Sequence, residues 1–318
     1  YCLDLANGTQ IWRFRGGPND RRILGNARLI SMWPARGGPV VAGGGVYFAA
    51  GIWPFMGIFI HAVDAESGKV VWTNDCDGSI YIKQPHNTDS FAGVAPQGPL
   101  VIQGDYLFVP GGRSVPACYD RKTGQLVHYL LNENSKKGGG HEVAAVGDVF
   151  FNGGHAFLAK NGRNLGPTVS RAVVTEEAAY GFEKDAIRSL NLQKAELTPP
   201  KWKIENTGSF DFKNGTALIK AGTRLYAGAP GKLVAATLPL PKTGWPDVTW
   251  EATLPDTPAS LVAADDRLFV VTLEGRLLCY GKDERDPLIP PTETTQPVRD
   301  EWNRAAEAIL KETRVTDG

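Results

Sequence analysis

"HAVDAESGKVVW" (residues 61–72) repeats the arrangement of "YCLDLANGTQIW" (residues 1–12). Each copy carries an Asp, then a Gly and then a Trp at the same intervals: Asp4, Gly8, Trp12 and Asp64, Gly68, Trp72. A weaker copy keeps Asp120 and Gly124 but has His128 where the Trp would stand. An Asp that closes a strand can accept hydrogen bonds from the amides of the following turn. The Gly supplies the left-handed backbone that reverses the chain. The Trp then ends the next strand, where its ring can lie against a neighbouring sheet with its indole N–H on a backbone carbonyl. These residues read as a structural rivet between sheets and not as a catalytic group.

A second pattern lies upstream of the rivet. "PVVAGGGVYFAAG" (39–51) aligns without gaps with "PLVIQGDYLFVPG" (99–111), "EVAAVGDVFFNGG" (142–154), "ALIKAGTRLYAGA" (217–229) and "SLVAADDRLFVVT" (260–272). The turn column is Gly44, Gly104, Gly147, Gly222 and Asp265, and an aromatic column follows: Phe48, Phe108, Phe151, Tyr226 and Phe269. A shorter cousin, "AVVTEEAAYG" (172–181), places Tyr180 in that column. Each unit reads as a β-hairpin around a Gly/Asp turn. Hairpin plus rivet makes four strands, and a four-stranded unit recurring about every 40 residues signals a β-propeller.

The expected fold class is therefore all-β, a propeller of four-stranded antiparallel blades with a short C-terminal helix. The expected units are a half-blade at 1–15, blades near 38–75, 98–131, 141–169, 170–205 and 215–253, and a three-stranded unit at 258–281. The start reads as mid-domain sequence, so the propeller of 1–281 is expected to be N-terminally truncated. The parent ring is expected to have eight blades, with seven the alternative. The half-blade is expected to supply the strand missing from the last unit. Residues 282–299 read as a Pro/Thr-rich linker and 300–318 as a helix, with Trp302, Ala305, Ala306, Ile309 and Leu310 on one face. That helix either docks on the propeller or opens a further domain; the second is the expectation.

Composition narrows the functional classes. Gly (37) and Pro (22) are abundant among 318 residues, which suits many tight turns, and 42% hydrophobic content suits a folded core. Lys+Arg and Asp+Glu balance at 34 each, so no net field favours nucleic acid. No apolar run reaches the ~18 residues of a transmembrane helix. Cys2, Cys118 and Cys279 occupy equivalent positions where the second copy has Ala62, which reads as a demand for a small buried side chain rather than a disulfide partner. Cys76 has no counterpart.

The Asp–Gly–Trp stretch resembles the tryptophan-docking repeat of quinoprotein-type propellers, over roughly residues 1–281. Members of that family include quinone-dependent alcohol dehydrogenases and cofactor-free scaffolds such as the lipoprotein propeller of the outer-membrane assembly machine. "FRGGPNDRR" leading into "MWPARGGPVV" looks like large bacterial quinone-binding-like repeat proteins, some carrying a methyltransferase-like domain. The resemblance implies a periplasmic or extracytoplasmic location. For a dehydrogenase it would imply pyrroloquinoline quinone (PQQ) stacked on a disulfide between adjacent cysteines, Ca²⁺ held by Glu, Asn and Asp, and a catalytic Asp. The sequence has no adjacent cysteine pair and no acidic trio with such spacing, so no cofactor and no metal are expected.

The leading expectation is a non-catalytic scaffold that presents a face to a protein or polymer partner; the alternative is a PQQ-dependent oxidoreductase. Two segments break the repeat. "GIWPFMGIF" (51–59) offers Trp53, Phe55 and Met56 as a partner patch or as a satellite core under the loop. "PNDRRILGNARLISMWP" (18–34) offers Arg21, Arg22 and Trp33 as an anion-binding loop, or Arg paired internally with Asp20. His141 and Glu142 are neighbours expected to face opposite ways, and no zinc spacing occurs among the 5 histidines. His86 and His128 read as structural.

Overall fold

The computed structural model describes residues 1–25, 28–84, 86–112, 114–131, 138–196, 203–242, 244–282 and 301–314. Strands β1 (Cys2–Leu3) and β2 (Gln10–Trp12) pair alone, as do β3 (Arg22–Gly25) and β4 (Arg28–Ser31). A four-stranded sheet follows: β5 (Ala35–Ala42), β6 (Gly45–Ala50), β7 (Phe59–Asp64) and β8 (Val70–Asn74). After the hairpin β9 (Ile80–Lys83) and β10 (Asp89–Ala92) comes the sheet β11 (Val101–Gln103), β12 (Tyr106–Gly111), β13 (Ser114–Asp120) and β14 (Leu126–His128). The next is β15 (Ala144–Val146), β16 (Val149–Asn152), β17 (His155–Leu158) and β18 (Asn164–Pro167). Longer strands build β19 (Ser170–Val174), β20 (Ala178–Glu183), β21 (Ala186–Glu196) and β22 (Lys203–Asp211). Then come β23 (Ala217–Ala221), β24 (Arg224–Ala229), β25 (Lys232–Thr237) and β26 (Val248–Thr253). The last sheet has three strands, β27 (Pro258–Ala264), β28 (Arg267–Thr272) and β29 (Leu277–Tyr280), and helix α1 (Glu301–Thr313) follows.

All sheets are antiparallel meanders in sequence order, and the first strand of each larger sheet lies beside the first strand of the next, from β5 through β27. That is the packing of propeller blades around an axis. One row of side chains crosses every blade on the face turned to the following blade. It runs Val40–Tyr47–Ala62–Trp72 in the first full sheet and Val101–Phe108–Cys118–His128 in the second. It continues as Ala144–Phe151–Ala156–Gly166, Val173–Tyr180–Ser189–Gly208 and Ile219–Tyr226–Ala235–Trp250, and ends as Val262–Phe269–Cys279. A small residue on the third strand leaves room for the aromatic beside it. Phe108 and Cys118 thus bury against Phe150 and Phe157 of the next sheet, while Tyr226 and Trp250 pack with Leu261, Leu268 and Tyr280.

This row corrects the aromatic column in one blade. Tyr47, not Phe48, stands in the place of Phe108, because the two-residue turn is Gly43–Gly44 and pairs Ala42 with Gly45. The first turn residue has left-handed φ in each case: 57° at Gly43, 58° at Gly104, 54° at Gly147, 56° at Gly222 and 50° at Asp265. A slip of one residue moves a side chain to the other face of a strand. Phe48 accordingly points back, with its ring 5.8 Å from Phe14 and 5.1 Å from His61.

Other expectations fail for identifiable reasons. The segment 18–34, read as a loop, carries the hairpin β3–β4. The half-blade does not complete the last sheet: β1–β2 and β27–β29 are separate sheets, and among the described residues β29 has no partner on its outer edge. Cys118 is buried as a small core residue, but Cys279 is exposed because nothing described covers its face. The segment read as a linker lies almost wholly outside the described residues. On α1, Ala305, Ala306, Ile309 and Leu310 are exposed, and the side chain of Trp302 lies outside the described ones.

Candidate functional site

The repeated motif builds a chain of wedges. Trp12 donates its indole N–H to the Ala65 carbonyl at 2.9 Å, and Trp72 donates to the Arg121 carbonyl at 2.9 Å. His128 takes the same seat, with Nε2 2.8 Å from the Ala159 carbonyl. Each ring lies over a glycine of the receiving turn: Gly68, Gly124 and Gly162, all left-handed. The carboxylates of Asp4, Asp64 and Asp120 accept amide hydrogens of their own turns, from Asn7, Ser67 and Thr123 among others. These turn bonds hold the Asp64 and Asp120 carboxyls below the ordinary carboxylate range. Trp250 occupies the corresponding fourth-strand place and packs edge-on to Tyr280 at 5.4 Å. The sequence did not reveal it because no Asp–Gly turn precedes it.

Two of the buried histidines make this frame sensitive to acid. His61 sits between Thr73 Oγ1 at 2.9 Å and the Gly16 carbonyl at 2.8 Å. Burial pushes His61 and His128 below the ordinary value of 6.5, against the weaker opposing effect of their carbonyl partners. With the folded value lowered, the unfolded chain binds protons first as pH falls. Their stabilisation is therefore complete above the unfolded value and declines as pH drops through the folded one. Urea midpoints should fall on acidification from about pH 7 to about pH 5, and His128→Trp should shrink that fall; an unchanged pH slope would refute the assignment.

The binding candidates gather at one end of the blades. In an antiparallel meander the turns between second and third strands emerge at the same end as the links from a fourth strand to the next first strand. The 3-10 turn Pro54–Met56 and the hairpins β3–β4 and β9–β10 all emerge there. Trp53 and Phe55 are 51% and 76% exposed and stack at 6.3 Å with 17° between their planes. Strand β10 lies against the 3-10 turn, bringing up Tyr81 and Phe91, 66% and 73% exposed and edge-to-face at 5.2 Å. Neither was among the sequence candidates, although the β-branched and aromatic run "SIYIK" (79–83) was the available signal.

Trp33 is buried, its indole donates to the Met56 carbonyl at 2.8 Å and its ring meets Phe59 edge-on at 6.3 Å. The Gly51 amide bonds to the Pro34 carbonyl beside it at 3.0 Å. Trp33 thus clamps the loop that displays Trp53 and Phe55, and Met56 is half-buried. Arg21 and Arg22 are exposed on β3 and just before it, while Asp20 pairs with Arg15 at 2.7 Å rather than with either neighbour.

Near the axis at the same end is a cavity of about 350 Å³, lined by His141, Glu142, Asn152, Ser170 and Arg171 among others. Glu142 pairs with Arg171 at 2.6 Å and with His141 at 3.5 Å. The two neighbours converge because they precede β15, so strand alternation does not apply to them. Asn152, buried, accepts from the Gly139 amide at 2.6 Å and donates to the Glu142 carbonyl at 2.9 Å, which fixes the loop.

The residues do not fit PQQ with Ca²⁺. The cysteines stand at 2, 76, 118 and 279, all free, so the stacked disulfide of adjacent residues cannot form. Among the described residues no three His, Cys, Asp or Glu side chains converge, whereas Ca²⁺ takes about six to eight oxygens.

Known structures share the architecture. Quinohemoprotein alcohol dehydrogenase ADHIIG from Pseudomonas putida HK5 is 11% identical, with 98% of this chain and 68% of that chain covered and a TM-score of 0.52. The computationally designed Ika8 protein is 13% identical over 78% of this chain and 71% of its own, with a TM-score of 0.51. BamB from Moraxella catarrhalis is 13% identical over 78% and 85%, with a TM-score of 0.44. No curated protein matches the chain. At these identities the first two likenesses speak for the fold alone. The family model for outer membrane protein assembly factor BamB matches residues 1–306, and the chain belongs to that family.

Proposed function

We propose that this propeller is a scaffold whose aromatic end binds a protein partner. The observation that carries the reading is the contact of the 3-10 turn with strand β10, which leaves Trp53, Phe55, Tyr81 and Phe91 exposed at one end of the blades. Exposed aromatic clusters of this kind mark interaction surfaces, and aromatic residues are enriched at interface cores. Family membership is consistent with a protein partner, and nothing in the donor set favours the dehydrogenase alternative.

A photo-crosslinking residue placed at position 55 or 81 in living cells should capture one partner. The same residue at Lys122, on the turn at the opposite end of the blades, should not. With that partner purified, Phe55→Ala and Tyr81→Ala should each weaken binding about 30-fold, the hot-spot range of about 2 kcal/mol, with unfolding unchanged. Equal capture from Lys122, or full affinity in both variants, overturns the proposal.

A further inference from the structure

The balance of charge over the whole chain hides a local excess. Residues 13–36 hold six arginines and one acidic residue, Asp20, which Arg15 takes up. Three of the arginines belong to the hairpin β3–β4 and its approach: Arg21, Arg22 and Arg28. All three are exposed, and none forms an ion pair among the described residues. Both sides of this ribbon are apolar. Ile23 stands opposite Ile30 and Leu24 opposite Leu29, so the two pairs point to opposite sides. The isoleucines are half-buried, whereas the leucines are 79% and 65% exposed. An antiparallel ribbon with one side turned inward ordinarily shows polar residues to water on the other. Here the outward side sets a leucine pair beside Arg22, with Arg21 and Arg28 at its flanks. The Met32 amide donates to the Arg21 carbonyl at 2.9 Å and closes the base, so the leucines are held in a paired ribbon.

We infer that the outward side of β3–β4 docks on an anionic phospholipid bilayer. Leu24 and Leu29 enter the boundary between headgroups and acyl chains, and the three guanidinium groups lie among the lipid phosphates. Arginine suits that depth, because its apolar stem stays beside the leucines while its charged head reaches the phosphates. Two features favour a bilayer over other anionic partners. A soluble polyanion gains nothing from two bare leucines. A protein interface centres on aromatic or Arg anchors, with Leu under-represented among them, whereas leucine is among the side chains that enter a bilayer most readily. The ribbon is separate from the four aromatic residues assigned to the protein partner, and this inference stands without them.

The test is co-flotation of the whole chain with vesicles. Phosphatidylcholine vesicles containing about 30% phosphatidylserine should bind it about tenfold or more tightly than phosphatidylcholine alone. Raising the salt from about 0.05 M to about 0.5 M should remove most of that difference. Arg21→Gln with Arg22→Gln should weaken binding to the anionic vesicles about 20-fold. Leu24→Ser with Leu29→Ser should weaken it about tenfold although the charge is unchanged. Both pairs are exposed, so urea unfolding should stay as in the parent chain, and Lys122→Gln at the opposite end of the blades should bind as the parent does. Four results overturn the inference. They are no binding to either vesicle, equal binding to both, full affinity in the leucine variant, or a loss caused instead by Phe55→Ala and Tyr81→Ala. Full affinity without the leucines would mark a purely electrostatic surface, open to any polyanion. Crosslinking at positions 55 and 81 reads a protein partner, so the two readings fail separately.

Discussion

Gly124→Ala destabilises the propeller more than Gly8→Ala does, and removing Trp72 cancels the difference. Both glycines have φ of 73°, so both substitutions meet the same left-handed penalty of about 1–2 kcal/mol. Only Gly124 lies beneath a ring: an added Cβ would stand 2.4 Å from Trp72 Cε3, a distance no side chain tolerates without moving. Gly124→Ala should therefore cost a further ~1–3 kcal/mol for overpacking. Trp72→Ala should cost about 3–5 kcal/mol by itself, from lost burial and the indole bond to Arg121. In the double variant the Cβ enters space the ring has left, so the total should fall short of the sum by about 1–2 kcal/mol. Urea unfolding of the four proteins, with Gly8→Ala as the reference, measures each quantity. Strict additivity, or equal costs at Gly8 and Gly124, would mean that the turn needs glycine for its backbone alone and that the wedge has no mechanical role.

That experiment also separates the two kinds of information the sequence held. The Asp–Gly–Trp spacing exposed the wedges because turn, ring and receiving glycine are all local or repeated. Trp250 escaped notice although it fills the same place, since its preceding turn is built from other residues. Register was legible wherever the hairpin turn held no more than one Gly, as at Gly104, Gly147, Gly222 and Asp265. It failed at 43–45, where three consecutive glycines gave no means of choosing, and Phe48 was put in the column that belongs to Tyr47. The site was harder to read for a related reason. Loops lack periodicity, so nothing local distinguishes Trp33, which faces inward, from Trp53, which faces out. The same lack of periodicity hid the meeting of His141 with Glu142. Tyr81 and Phe91 matter through a neighbour far along the chain, and only the fold brings the 3-10 turn beside β10.

Trp33 ties frame and face together, and its replacement should disturb both. Trp33→Ala removes a buried ring and should lower stability by about 3–5 kcal/mol. It also releases the Met56 carbonyl and the packing on Phe59 that hold residues 53–57 in place. Trp53→Ala, by contrast, removes an exposed ring and should change stability by no more than about 0.5 kcal/mol. Hydrogen exchange of the amides of 53 and 55–57 should therefore speed up in Trp33→Ala at temperatures where the blades remain folded, and stay unchanged in Trp53→Ala. Partner binding should weaken in both, for different reasons: in one the contact is gone, in the other its display is lost. Trp33→Phe resolves the two components of the clamp. It keeps most of the apolar packing and deletes only the indole donor, so the expected loss is about 0.5–1.5 kcal/mol with a smaller rise in exchange. If Trp33→Ala left exchange at 53–57 and partner affinity as they were, the loop would be rigid without the clamp. The aromatic face would then owe its shape to the 3-10 turn and its packing on β10.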